Sequence, residues 1–192
     1  KVKRIVYCSS MARYGHHDQM PYKETYECRP QDPYGIAKKA GEDVLRNLCD
    51  THGVEYVIAV PHNIVGPRQK YDDPFRNVMS IMLNRMLQGK QPIIYGDGEQ
   101  QRCFSYIDDC LYCLNALAFQ DNVVGEVINI GPDEEPITIN QLAEACANET
   151  GLNLDPIHHK DRPKEVKLAV CSSDKARNLL GYKTATNMRQ SV

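Results

Sequence analysis

Tyr34 and Lys38 stand four residues apart in the stretch DPYGIAKK, directly after an Asp-Pro pair that turns the chain. On a helix this spacing puts both side chains on one face, one turn apart. An ammonium beside a phenol favours the phenolate, and a phenolate is what a general base for an alcohol requires. A third group must then hold the alcohol oxygen. Ser9 and Ser10 are suited to that task because they follow the short apolar run Ile5-Val6-Tyr7, and open α/β sheets bind ligands beyond the carboxyl ends of their strands. Taken alone, a Tyr-x-x-x-Lys pair also fits an ordinary helix surface, and the two serines also fit a simple turn.

The elements that must position these groups alternate in type. The run in KVKRIVYC reads as a buried parallel strand. Residues 13–33 are polar and punctuated by proline, which argues against long regular structure. A helix is predicted from Gly35 to Asp50, with Ala37, Ala40, Val44, Leu45 and Leu48 as its apolar side. The following HGVEYVIAVPHNIVGP reads as turn, strand and polar turn, so strand, helix and strand form a parallel α/β unit.

Beyond Tyr71 the texture changes. Phe75, Val78, Met79, Met82, Leu83 and Met86 predict an amphipathic helix stopped at Gly89. A brief strand in QPIIYGDG, a helix over about 108–119 and a strand in GEVINIG come next. The stretch ITINQLAEACANETG predicts a helix capped by Thr138 or Asn140 and ended by Gly151. A strand in EVKLAV and a helix opened by Ser172 or Ser173 and closed at Gly181 complete the pattern.

Composition narrows the classes. A chain of 192 residues fits one domain, or one large domain with a small lobe. With 23 basic and 25 acidic residues the net charge is -2, so no cationic field exists to hold a nucleic-acid backbone. No apolar run is long enough to cross a bilayer, and the first residues do not resemble a secretory signal, which predicts a soluble cytoplasmic protein. Eight cysteines without a recurring framework read as reduced thiols. Cys110 and Cys113 have zinc-knuckle spacing but fall inside a predicted helix with no second pair, so they read as buried thiols and no metal site is expected. The pairs His16-His17 and His158-His159 read as loop histidines, and the GDG at 96–98 reads as a tight turn outside any phosphate-loop context.

Several ordered segments carry a family resemblance. YCSSMARYG, PYKETYECRPQDPYGIAKKAGE and PHNIVGPRQ, followed by IIYGDGEQQRCFSYIDD, VINIGPDEEPITINQLAE and DRPKEV, resemble the extended short-chain dehydrogenase/reductase family. The likeness is to its nucleotide-sugar epimerase branch, the UDP-glucose 4-epimerase-like proteins, and it covers nearly the whole chain. It implies NAD as cofactor, a nucleotide diphosphate sugar as substrate and a homodimer at full length. The fold it implies is α/β, the C-terminal half of a Rossmann-like parallel sheet with a small α/β substrate-binding lobe. Residues 1–66 would belong to the NAD-binding domain and 67–192 mainly to the lobe, with 103–131 returning to the sheet.

By the same resemblance the catalytic set is Ser10, Tyr34 and Lys38. Tyr34 would take the sugar hydroxyl proton, Lys38 would hold the nicotinamide ribose, and Ser10 would orient the hydroxyl. Ser9, Pro61 and His62 would stand on the cofactor side with Tyr34 and Lys38. Asn63, Asn77, Val78, Arg102, Arg162 and Glu165 would join Ser10 in binding the substrate, the two arginines gripping its diphosphate through their planar forks. Glu165 stands where the family often has aspartate, so the nucleoside stays open.

Met11 and Ala12 follow Ser10 where sugar dehydratases of the family place an acidic pair, so the resemblance favours epimerisation over elimination. A related dehydratase or decarboxylase, and a non-catalytic nucleotide-sugar-binding module, remain the competing readings. The sequence has no glycine-rich turn after its first strand and no acidic residue ending a second one, both of which a dinucleotide site normally uses. That predicts a longer parent protein whose upstream segment grips the cofactor.

Overall fold

The computed structural model of the chain describes residues 2–73, 77–132, 135–162 and 166–186. Strand β1 (Arg4–Cys8) leads through a 3-10 turn at Met11–Arg13 and an irregular segment to α1 (Pro33–His52) and β2 (Glu55–Pro61). After β3 (Ile64–Val65) come α2 (Val78–Leu87), β4 (Ile93–Tyr95), β5 (Gln101–Arg102), β6 (Ser105–Tyr106), α3 (Ile107–Phe119) and β7 (Val127–Ile130). The chain continues through β8 (Ile137–Thr138), α4 (Ile139–Thr150), β9 (Ile157–His159), β10 (Leu168–Ala169) and α5 (Asp174–Leu180).

The strands β1, β2 and β7 form a parallel sheet in that spatial order, with Val6 opposite Val57 and Ile58 opposite Val127. Successive side chains of a strand point to opposite faces. Val57 and Ala59 therefore pack with α3 and α5 on one side, while Ile58 and Val60 pack with Tyr14 and Tyr22 on the other. Because all three strands are parallel, Cys8, Pro61 and Ile130 end at the same edge.

A separate core lies between α2 and α4, where Met79, Met82 and Met86 meet Leu142, Ala143 and Cys146. Short strands surround it: β5 lies between β10 and β8, β3 pairs with β6, and β4 pairs with β9. Among the described residues of the EVKLAV stretch, the strand spans Leu168–Ala169. Thr138, and not Asn140, caps α4, in a reciprocal box with Gln141. Asn140 instead donates to the Asp97 carbonyl at 2.9 Å and so braces the GDG turn. The predicted start of α2 at Phe75 lies outside the described residues, and the helix is observed from Val78 behind its cap Asn77.

The predicted apolar side of α1 is corrected. Of the predicted stripe only Leu45 packs against the core, beside the Tyr14–Tyr22 cluster; Ala37, Ala40, Val44 and Leu48 face outward, whereas Gly35, Glu42 and Cys49 are buried. Close approach explains the reversal. A Cβ on Gly35 would lie 2.6 Å from the Ala12 carbonyl oxygen, and one on Gly41 would lie 2.3 Å from the Tyr7 hydroxyl. Only residues without a side chain fit at these two closest approaches, and the buried Glu42 carboxylate lies on the same side of the helix.

All eight cysteines are free thiols, and burial raises Cys110 and Cys113 to about 12 within α3. Among the described residues no helix is long and apolar enough to cross a membrane.

Asp32 opens α1 by accepting the Gly35 backbone N–H at 2.8 Å. Replacing a capping aspartate with alanine costs about 1 kcal/mol. Asp32→Ala is therefore expected to lower the unfolding free energy by that amount, read as a lower urea midpoint at unchanged slope, while Asp32→Asn stays near wild type. Equal midpoints for all three would show that the cap does not contribute.

Candidate functional site

Tyr34 lies in the first turn of α1 and is 57% exposed, so its phenol is open to a ligand. One turn later the Lys38 ammonium stands 5.7 Å from the centroid of the Tyr34 ring. Its Nζ also donates to the Cys8 carbonyl at 2.8 Å, which ties the helix to the last residue of β1. The predicted pair therefore sits together at the carboxyl edge of the parallel sheet. Two residues along from Cys8, Ser10 caps the 3-10 turn, its Oγ accepting the Ala12 N–H at 3.3 Å. That contact uses a lone pair and leaves the Ser10 O–H to donate.

Ser9 is placed differently from its neighbour. It is 3% exposed, and its Oγ donates to Glu42 Oε1 at 2.5 Å. Glu42 Oε2 lies 2.9 Å from Arg13 Nη2. This contact is an ion pair by distance and falls outside hydrogen-bond geometry. Sequence reasoning missed both Glu42 and Arg13. The available signal was position, since Glu42 is eight residues from Tyr34 and four from Lys38, on the same helical face.

A cleft of about 560 Å³ opens beside the second core, within the size range of small-molecule sites. Five of the predicted substrate residues, Asn63, Asn77, Val78, Arg102 and Arg162, line it together. Ser10, Tyr34 and Lys38 are not in its wall, and Glu165 lies outside the described residues. Asn63 holds a positive φ of 39° and donates its Nδ2 to the Cys103 carbonyl at 2.9 Å. Asn77 caps α2 by accepting the Met79 N–H at 3.0 Å. Arg102 reaches the cleft from β5, braced by a 2.8 Å bond from Nη1 to the Gln101 carbonyl. The exposed Arg162 guanidinium stacks 4.0 Å above the centroid of Tyr95, a partner the sequence did not point to.

Residues 1–131 match the NAD dependent epimerase/dehydratase family. The chain belongs to that family. It is 33% identical over 194 residues to a putative UDP-glucose 4-epimerase of Methanocaldococcus jannaschii, covering all of this chain and 61% of that protein. A crystal structure of UDP-glucose 4-epimerase from Thermotoga maritima with UDP-glucose superposes with a TM-score of 0.89 at 32% identity, over 99% of this chain and 61% of that one. UDP-glucuronic acid 4-epimerase from Bacillus cereus, in complex with UDP-glucuronic acid and NAD, gives 0.90 at 29% identity, over 100% and 59%. The chain thus spans about three fifths of the length of these epimerases.

Within this family member Pro61 ends β2, and His62 follows it fully buried. Neither ring nitrogen reaches a partner in hydrogen-bond geometry among the described residues. Burial pushes the imidazole down from 6.5 to about 4, with the Ala169 backbone pulling it back and Arg102 adding to the fall. A histidine kept neutral in the fold but free to charge when unfolded makes stability drop as pH falls through the window from 6.5 to about 4. Each pKa unit corresponds to about 1.4 kcal/mol, so the loss attributable to this residue is about 3 kcal/mol. His62→Phe replaces the ring without leaving a polar partner unpaired, and is expected to flatten that part of the acid limb by the same amount. Parallel urea titrations between pH 7 and pH 4 check this; superimposable pH profiles would refute it.

Proposed function

We propose that the complete protein epimerises a nucleotide diphosphate sugar with NAD as cofactor, through a transient keto-sugar. The observation that carries this reading is the exposed Tyr34 phenol paired with Lys38 at the carboxyl edge of the parallel sheet, in a member of this family. Tyr34 takes the proton of a sugar hydroxyl as general base, and Ser10 donates to the same oxygen to orient it. Lys38 stabilises the phenolate by its charge. When bound, NAD supplies the hydride acceptor and returns the hydride to the other face of the sugar carbon.

The side chains fit the cofactor unequally. Lys38 has three N–H donors, and the contact to Cys8 uses one, so it can also hold a ribose hydroxyl. Tyr34 is open to the same space. Ser9 and His62 are buried, and would shape the cofactor side through backbone and packing together with Pro61. Met11 and Ala12 supply no acid next to Ser10, which supports epimerisation over elimination of water.

In the fold reading, β1, β2 and β7 are strands of the later, C-terminal half of a Rossmann-like sheet. Residues 1–66 and 103–131 belong to that unit, and the rest of 67–192 forms the substrate lobe. The support is the pair of separate cores, one around the parallel sheet and one between α2 and α4. In the lobe, Arg102 and Arg162 grip the diphosphate, with Asn63, Asn77 and Val78 beside them; Glu165 would act on the nucleoside. A homodimer is supported by the outward apolar side of α1, where Ile36, Val44 and Leu48 are each at least half exposed.

Kinetics of the full-length protein separate the two proposed roles. Tyr34→Phe is expected to lower kcat by about 10²- to 10⁴-fold, the usual worth of a general base, with KM little changed. Arg162→Ala is expected to raise KM for the nucleotide sugar while sparing kcat. An equal-mass stereoisomer should be the product by NMR and mass spectrometry. Loss of water or carbon dioxide, or full turnover in Tyr34→Phe, would reject the reading. For the dimer, Val44→Glu should convert a two-fold assembly to monomer in sedimentation equilibrium, and a wild-type monomer at micromolar concentration would remove it.

A further inference from the structure

Glu42 has no place in the chemistry just described, yet it is the most completely buried charged side chain on the face of α1 that carries Tyr34 and Lys38. Its carboxylate is 0% exposed and gathers contacts from three segments: the Ser9 hydroxyl at the end of β1, Arg13 from the 3-10 turn, and Arg46 one turn further along the helix at 3.7 Å. Arg13 is itself 4% exposed and is also held by the Cys28 sulfur, to which its Nε donates at 3.1 Å. Desolvated charges of this kind are tolerated only when their partners are in place. The contact therefore selects one arrangement of helix against strand.

The pattern along the helix is regular. Lys38 takes the carbonyl of Cys8, and Glu42, one turn later, takes the hydroxyl of Ser9. Consecutive residues of the strand end are thus held by consecutive turns of one helical face. The next residue of the chain is Ser10, at the cap of the 3-10 turn, and the preceding turn of the helix carries Tyr34. Close packing reinforces the register, since Gly35 lies on Ala12 and Gly41 on Tyr7, with the Tyr7 hydroxyl donating to the Lys38 carbonyl at 3.3 Å.

We propose that Glu42 is a positioning residue which, by holding Ser9 and Arg13, sets the register of the Tyr34–Lys38 helix face against the Ser10 end of β1. Its relevance to turnover rests on the epimerase reading above, whereas the register itself does not. A shift of about 1 Å between reacting groups can cost roughly a hundredfold in rate. Loss of the anchor should therefore act on kcat while leaving the diphosphate cleft, which lies beside the other core, unaffected.

Three full-length, cofactor-loaded variants test this. Ser9→Ala removes one hydroxyl and leaves the ion pair; Glu42→Gln keeps the size and removes the charge. The double variant Arg13→Met with Glu42→Met replaces the pair by apolar side chains of similar length, an exchange that folding commonly tolerates. All three are expected to lose about tenfold or more in kcat at temperatures well below unfolding, with KM for the nucleotide sugar within about twofold. The double variant should do so with an undiminished melting temperature. Crystal structures should show the Lys38 contact to Cys8 lengthened and the Tyr34 ring displaced.

If Ser9→Ala and the double variant keep wild-type kcat while Tyr34→Phe is inactive, the positioning role is overturned and the epimerase reading stands. If the wild type turns over no nucleotide sugar, or Tyr34→Phe is fully active, the epimerase reading fails. The crystal structures then still decide, because an unmoved Tyr34 and an intact Lys38–Cys8 contact in the variants would overturn the register claim by itself.

Discussion

A carboxylate wholly removed from water governs the arrangement of the parallel-sheet half of this chain. Taking an ion pair out of water costs several kcal/mol per ion after relaxation, and mutual attraction offsets that only when the partners are well placed. Glu42 contacts Arg13 at 2.9 Å and Ser9 at 2.5 Å, on different segments, so helix, strand end and 3-10 turn converge on one carboxylate. The same demand explains the composition of the buried face. A helix that must bring a carboxylate down to the end of a strand cannot also carry large apolar side chains there, and Gly35 and Gly41 occupy the closest approaches.

Parallel pairing then decides where ligands can gather. Strands β1, β2 and β7 run in one direction, so Cys8, Pro61 and Ile130 share an edge, and the polar residues just beyond them share it too. The irregular segment 13–33 covers the adjoining face by burying Tyr14 and Tyr22, stacked with centroids 5.3 Å apart. The Tyr14 hydroxyl donates to Asn129 on β7 at 2.7 Å, and the Asn129 backbone N–H donates to Glu24 at 2.9 Å. A stretch of chain with no regular structure thus becomes part of the core through tyrosines whose polar tips find partners, as buried tyrosines require.

Periodicity, glycines and caps made much of this order legible. The presence of β1, α1 and α3, the Gly151 and Gly181 helix ends and the Thr138 alternative all follow from local rules that tertiary contacts did not override, although α1 extends two residues beyond the predicted Gly35 and Asp50 at each end. The failures share a cause. The stripe Ala37, Ala40, Val44, Leu48 satisfies the spacing of a buried helix face, but spacing cannot report that a neighbouring backbone lies within 3 Å of the opposite side. Ser9 and Ser10 are likewise identical in type and adjacent, and only the path of the chain just beyond β1 turns one hydroxyl inward to Glu42 and sets the other at the cap of the 3-10 turn. The clustering of Asn63, Asn77, Val78, Arg102 and Arg162 on one cleft was reached through family resemblance, because each residue alone reads as a cap, a helix start or a surface charge.

The two cores hold two different sets of side chains in place. Tyr34, Lys38 and Ser10 are held by the register of α1 on β1, whereas the arginine-bearing cleft is framed by α2, β5 and the Tyr95 ring. These frameworks meet where β3 pairs with β6, with the Ser105 hydroxyl donating to the His62 carbonyl at 2.7 Å and Asn63 reaching the Cys103 carbonyl. His62 and Asn63 immediately follow β2, so this short polar seam connects the sheet edge directly to the strand that precedes α3. A displacement of either framework must pass through it. The seam is built mainly from backbone groups and buried side chains, so the separation between the Tyr34–Lys38 pair and the cleft is set by packing and by hydrogen bonds that surface substitutions do not reach.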